Sequence, residues 1–170
     1  ATGSSHSIAA GRLSFVLGLQ GPCVSYGTAC SAALAAGHAA LRAVQLGECE
    51  AGLLEAVSLM LLPGAGRSFG LAGMTSARGR SHTFDRRADG YARGEACGGA
   101  VLQPAGEAAA LSVLGCAVRQ DGRSASLTAP NGLAQRALLR AALADGGVGP
   151  AAVARLEAHG TGTSLGDPTE

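Results

Sequence analysis

The sequence has no tryptophan, and aromatic residues make up only 3% of it. A core without large rings must be built from Ala, Val and Leu with closely packed backbones, and the 27 glycines allow that approach. An excess of charge is also missing. A formal net charge of +1 gives no electrostatic case for nucleic acid or an anionic membrane as partner. No C-x-x-C pair occurs, and the five cysteines (Cys23, Cys30, Cys49, Cys97 and Cys116) are odd in number. Neither a disulfide framework nor a zinc site is indicated, and a reducing compartment, the cytoplasm, is expected. The longest apolar run, residues 53–62, is too short to span a bilayer and is broken by Glu55. Residues 1–5 lack a Met, a basic region and a signal-like core. Residues 167–170 close no element, so the chain is expected to be a piece of a longer protein.

What is present is a globular composition, 47% hydrophobic and 15% charged over 170 residues. That length suits one domain or part of a larger one. The most informative stretch is residues 21–34. Val24 and Tyr26 suit a strand, Gly27 relieves a turn, and an Ala- and Leu-rich helix follows over 31–46. This layout places the sulfur of Cys30 at the positive end of a helix, where free N–H groups and the helix dipole favour the thiolate. Cysteine is also the most nucleophilic side chain at neutral pH. The alternative reading of Cys30 is a buried structural thiol.

The other segments alternate between the two periodicities. Residues 7–17 read as a short helix. The helix after Cys30 is apolar nearly all round, which predicts burial, and Gly47 suits the position just past its end. His38 within it reads as a satisfied core histidine. Residues 51–62 read as a strand buried on both faces, ended by residues 63–66. Residues 64–95 read as one long loop, a feature that is usually functional in a compact domain; its arginines read as solvated, though some are placed to meet an acidic partner. Strands are expected at 96–103 and 111–118, linked in hairpin fashion through 104–107. A polar loop follows over 119–132, then an amphipathic helix over 133–145 stopped by Gly146 and Gly147. A strand at 153–158 delivers His159 into Gly160-Thr161-Gly162-Thr163. Such alternation is α/β.

Taken together, the motifs resemble the β-ketoacyl synthases, the condensing enzymes of fatty acid and polyketide assembly. Gly27-Thr28-Ala29-Cys30-Ser31-Ala32 is similar to their D-T-A-C-S-S active-site motif, with Gly27 where the family has Asp. Glu157-Ala158-His159-Gly160-Thr161-Gly162-Thr163 matches their E-A-H-G-T-G-T motif in full, and Gly166-Asp167-Pro168 and Glu170 follow in family fashion. Between them, in order, lie Thr83-Phe84-Asp85, Asp89-Gly90-Tyr91, Arg93-Gly94-Glu95, residues 120–124 and residues 127–132, each similar to a polyketide-type segment. The resemblance spans essentially all 170 residues.

It implies a thiolase-like layered fold (αβαβα), normally dimeric. Residues 1–104 would be the end of its N-terminal half and 105–170 the start of its C-terminal half, joined near 104–110. It implies that Cys30 takes an acyl group from the phosphopantetheine arm of an acyl carrier protein, with no cofactor or metal bound directly. His159 would hydrogen-bond the extender's thioester carbonyl during decarboxylation. Thr161 and Thr163 would hydrogen-bond the pantetheine arm, or cap turns. Thr128 and Phe84 would lie near the acyl and pantetheine channel, and Glu170 would pair with a lysine. That lysine, a second histidine and a glycine-rich segment are not among these residues, so the chain alone is expected not to complete a condensation. Glu55 stands where the family has small residues; in a buried strand it would need a partner, a raised pKa or an exposed position. Alternatives are a non-catalytic chain-length or docking homologue, a fatty acid synthase type condensing enzyme, and a thiolase.

Overall fold

The computed structural model describes Gly3, residues 5–106 and residues 109–170. The chain forms two compact units, each discontinuous in sequence: residues 1–57 with 97–112, and residues 58–96 with 113–170.

In the first unit, α1 (His6–Leu17) forms where a helix is expected. An extended stretch follows, and Ser14 Oγ meets Cys23 Sγ there at 3.4 Å. A short 3-10 turn, Ala29–Ser31, leads into α2 (Ala32–Gln45). β1 (Gly52–Ser58) and β2 (Ala96–Leu102) pair in a two-stranded sheet. α2 lies on one face of β1. A Cβ on Gly52 would sit 3.2 Å from that of Ala40, and one on Gly37 would sit 3.4 Å from Leu54 Cδ2. Small residues therefore allow the close approach that large ones would prevent.

Two expectations fail here. β1 is covered on one side only: Leu54 and Ala56 are half-buried, and Leu53, Glu55 and Val57 are exposed. Glu55 thus takes the exposed option, with its carboxylate over Gly99 of β2, where an added Cβ would come within 2.9 Å of Oε1. α2 is likewise not buried all round. Ala43 is its one buried residue, and Leu34 is 75% exposed, because only the face toward β1 has a partner.

In the second unit, α3 (Pro63–Leu71) occupies the start of what reads as loop. Proline at its first turn gives up no intrahelical bond and pre-sets φ. The glycines that disguise it, Gly64, Gly66 and Gly70, are tolerated in a nine-residue helix. The Arg93 guanidinium stacks 5.2 Å over the Phe69 ring. Beyond α3, the chain closes on itself through a bridge between Thr75 and Tyr91. α4 (Gly132–Asp145) is started by Asn131, whose Oδ1 accepts from the Leu133 and Ala134 N–H groups at 3.1 and 3.3 Å. Asp121 accepts from the Asn131 N–H at 3.1 Å, tying the preceding polar loop to the helix. A second 3-10 turn, Pro150–Ala152, and the four-residue α5 (Gly166–Thr169) complete the elements.

Four helices end alike. Gly18, Gly47, Gly73 and Gly147 have φ between 62 and 72°, and the next N–H bonds back to a last-turn carbonyl, as Glu48 does to Ala43 at 2.9 Å.

The strands expected at 24–26, 111–118 and 153–158 do not form. Their apolar pattern is that of a strand, but a strand also needs a neighbour. The sheet among the described residues contains only β1 and β2. Of the expected hairpin-like link, Glu107 lies outside the described residues, as does part of the expected join at 104–110. Among the described residues, no helix is long and apolar enough to cross a membrane.

Candidate active site

Cys30 is the centre of the 3-10 turn that precedes α2, and it is exposed. The residue before it, Ala29, has φ +54°, a left-handed conformation that costs a non-glycine residue about 1–3 kcal/mol. Gly27, the residue expected to relieve the turn, is not left-handed and has open space around it. The reversal falls two residues later, at Ala29. Hydroxyls on either side hold it: Ser31 Oγ donates to the Thr28 carbonyl at 2.9 Å and meets Thr28 Oγ1 at 3.0 Å. Because Ser31 is engaged there, it makes no side-chain cap to α2. The first N–H groups of a 14-residue helix therefore lack that partner just beyond the sulfur. Cys30 is exposed here, not buried as a structural thiol would be. His38, eight residues on, is half-buried, and its buried Nδ1 has no partner among the described residues, so it is not the satisfied histidine expected.

The second unit holds His159 on an exposed loop. Gly160 and Gly162 after it have φ +54° and +71°. A Cβ on Gly162 would run into the Ser81 carbonyl, so only glycine fits. Three groups fix the loop backbone. Glu170 Oε2 accepts from the Gly160 N–H at 3.0 Å, Thr83 Oγ1 donates to the Gly160 carbonyl at 2.5 Å, and Asp167 Oδ1 accepts from the Gly162 N–H at 2.9 Å. The Gly90 N–H donates to the Gly162 carbonyl at 2.9 Å. Thr163 Oγ1 accepts from the Gly166 N–H at 3.2 Å, the capping role, and lies 3.3 Å from Thr161 Oγ1. Asp167 Oδ2 also accepts from the Phe84 N–H at 2.7 Å. Phe84, exposed and with φ +54°, belongs to the same network.

The structure thus joins Thr161, Thr163, Phe84 and Glu170 through one set of bonds with the backbone of the loop that follows His159. Thr128 lies outside that set, exposed in the polar loop. An open cleft of about 740 Å³ is lined by Arg123, Asn131, Arg136, Thr169 and Glu170, among others, but not by His159. In the 76–90 segment, Asp89 accepts from Ser76 Oγ at 2.6 Å and from Arg78 Nε at 3.1 Å. Those bonds lower its pKa below 3.8, and the Arg87 guanidinium lowers that of Asp85 further still. Among the described residues, no group of three or more His, Cys, Asp or Glu is placed to hold a metal.

Sequence reasoning missed the roles of Asp167, Thr83 and Ala29. The first two were visible as family-like letters. Their contacts to loop backbone 77–83 residues away are not written in any local pattern.

Models of the β-ketoacyl synthase N-terminal and C-terminal domains match residues 1–108 and 110–170. The chain belongs to the β-ketoacyl synthase family. Among curated relatives, this ketosynthase sequence is 49% identical, over 99% of its length, to a Mycobacterium bovis protein named phenolphthiocerol synthesis polyketide synthase type I Pks15/1. It is 45% identical, again over 99% of its length, to a phenolphthiocerol/phthiocerol polyketide synthase of Mycobacterium tuberculosis. It spans only 8% and 11% of those proteins. Among solved structures, it matches the oxazolomycin ketosynthase domain OzmH KS7 of Streptomyces albus JA3453 at a TM-score of 0.90 and 37% identity, covering 98% of this chain and 30% of that one. The ketosynthase from module 6 of the bacillaene synthase of Bacillus subtilis 168 matches at 0.88 and 36%, covering 99% and 32%. The fold is therefore the layered, thiolase-like α/β fold of ketosynthases, here from the end of its N-terminal half into the start of its C-terminal half.

Proposed function

We propose that these residues carry the nucleophile and one histidine of a condensing enzyme of polyketide assembly, an acyltransferase of the β-ketoacyl-carrier-protein synthase type. The observation that carries this reading is Cys30, exposed on a strained turn at the start of a long helix in a ketosynthase chain. The Cys30 thiolate attacks the carbonyl of an acyl thioester, and the pantetheine thiol leaves with the proton the cysteine gave up. A malonyl-type extender then loses CO2. The electron pair of the broken C–C bond moves onto the thioester as an enolate, and an N–H of His159 donates to its oxygen. The enolate carbon bonds to the acyl carbon, Cys30 Sγ leaves, and a β-ketoacyl thioester two carbons longer results.

In this reading both substrates arrive on the phosphopantetheine arm of an acyl carrier protein, and no cofactor is invoked. Thr161 and Thr163 hydrogen-bond the arm, Thr128 and Phe84 lie along the channel, and Glu170 pairs with a lysine. The join between halves lies near residues 104–110, the parent is a cytoplasmic homodimer, and nucleic acid plays no part. The names of the relatives support polyketide over fatty acid assembly. Retention of Cys30 and His159 supports an active enzyme over a non-catalytic homologue.

The test uses the synthase polypeptide that carries these residues, given an acyl-pantetheine thioester. Intact-mass and peptide analysis should find the acyl group on Cys30, and Cys30→Ala should abolish it. His159→Ala should slow CO2 release from a malonyl-pantetheine thioester by about 10²-fold while sparing acylation. Acylation that persists without Cys30 overturns the reading, and a wild-type protein that takes no acyl group points to the non-catalytic homologue.

A further inference from the structure

Glu55 stands in the middle of β1, where the family has small residues. Successive side chains of a strand point to opposite faces. Gly52, Leu54 and Ala56 are half-buried on the α2 side of β1, and Leu53, Glu55 and Val57 are exposed on the other. A Cβ on Gly99 of β2 would come within 2.9 Å of Glu55 Oε1 and 3.2 Å of Oε2. The carboxylate therefore lies over Gly99, on the face opposite α2. By the same alternation Cys97 and Val101 share that face. It thus holds one anion among Leu53, Val57, Cys97 and Val101, all of them exposed. Among the described residues, Glu55 has no hydrogen-bond or ion-pair partner. A layered α/β fold stacks helices on both faces of a sheet, and α2 takes only one. These residues span 30% and 32% of the two solved ketosynthases they match, so most of such a fold is contributed by other residues.

We infer that a helix of the same synthase polypeptide, outside these 170 residues, covers the open face of β1 and β2 and sets a lysine or arginine against Glu55. The apolar residues of the face favour an apolar cover. A wholly apolar cover would strand an ionised carboxylate away from water, which costs more than the burial of its neighbours contributes. A basic side chain removes that cost. Both oxygens of Glu55 are free, a pair of acceptors that a guanidinium fork or an ammonium group can take. Gly99 keeps the arrangement open, because any side chain there would push the carboxylate aside. A ketosynthase with a small residue at this position has no anion to match, so the cation belongs to this chain and not to the fold in general.

The experiment uses the whole ketosynthase region of the synthase polypeptide. Its crystal structure should place a Lys or Arg nitrogen of the same chain within about 4 Å of a Glu55 oxygen. Glu55→Gln keeps the shape, removes the charge and leaves the cation buried without a partner. In urea titration it should raise the unfolding equilibrium constant by about 10²-fold. Changing the cationic residue to Met in the same protein should recover at least about tenfold of that loss, because no charge is then left unpaired. A rise under about tenfold in Glu55→Gln, or full additivity of the two changes, overturns the inference. If Glu55→Gln does not fold, the crystal structure of the unsubstituted region decides. A Glu55 that faces water, that meets only backbone or hydroxyl donors, or that takes its cation from a second copy of the chain also overturns it.

Discussion

At the scale of single residues, the site depends on backbone conformations that side-chain patterns do not report. Cys30 and His159 stand out as candidates in the sequence because their side chains carry the chemistry. Ala29 and Asp167 are not, because what matters at Ala29 is a φ angle and at Asp167 the pair of N–H groups it meets. Gly27 shows the same limit from the other side. A glycine beside a nucleophile reads as the turn residue, yet the structure gives it neither positive φ nor a close neighbour. The two glycines should therefore respond differently. Gly27→Ala, or Gly27→Asp as in the family motif, should shift stability by less than about 0.5 kcal/mol. Gly162→Ala sets a methyl against the Ser81 carbonyl at φ +71° and should cost about 3 kcal/mol or more, because backbone cannot step aside as a flexible side chain can. Urea denaturation of the ketosynthase domain carrying each change measures both. Equal tolerance at the two sites would contradict the geometry.

Secondary structure divides by how local its cause is. α1, α2 and α4 are legible because helix periodicity and a closing glycine lie within one stretch of chain. α3 is hidden by its glycines, and Pro63, which reads as a terminator, is its first residue. The segments 111–118 and 153–158 read as strands from pattern alone, but pairing depends on residues elsewhere. Asn131 illustrates how much one cap can hold, since its side chain starts α4 and also donates to the Asp121 carbonyl at 3.1 Å. Asn131→Ala should lower domain stability by about 1–2 kcal/mol, the cap plus one part-buried bond, read as a lower urea midpoint at unchanged slope. The 76–90 segment is held differently, by Asp85 to Arg87 and by Asp89 to Ser76 and Arg78. Both carboxyls have folded-state pKa values below the ordinary 3.8, so their contribution is complete above that pH and is lost as acid protonates them below it. Protection of the 76–90 amides from hydrogen exchange, corrected for the pH dependence of the intrinsic rate, should stay constant from about pH 7 to 5 and fall below about pH 3. A change between about pH 7 and 5 would count against the two carboxylates as the cause.

For the molecule as a whole, little apolar surface is withdrawn from water. Ala43 is the one buried hydrophobic residue among those described, whereas Phe15 is 88% exposed, Leu71 91% and Leu111 92%. Hydrophobic burial is the main term favouring a folded chain, and exposed apolar area on this scale marks surfaces that other protein covers. These 170 residues expressed by themselves should bind a hydrophobic dye strongly, associate at micromolar concentration and melt without a sharp transition. A cooperative monomeric melt would count against this. The exposed faces also account for the burial that sequence reasoning overestimated at α2 and β1. Both elements are apolar on faces that nothing among the described residues covers.

The pairing of β1 with β2 also has a consequence in time. The two strands are separated by residues 59–95, all of which belong to the other compact unit. A ribosome adding about 5–20 residues per second needs about 2–8 s to make that stretch. For that interval β1 has left synthesis with Leu53 and Val57 exposed, and the edge that β2 takes is open. The rate at which this segment is translated therefore sets how long a sticky edge stays open.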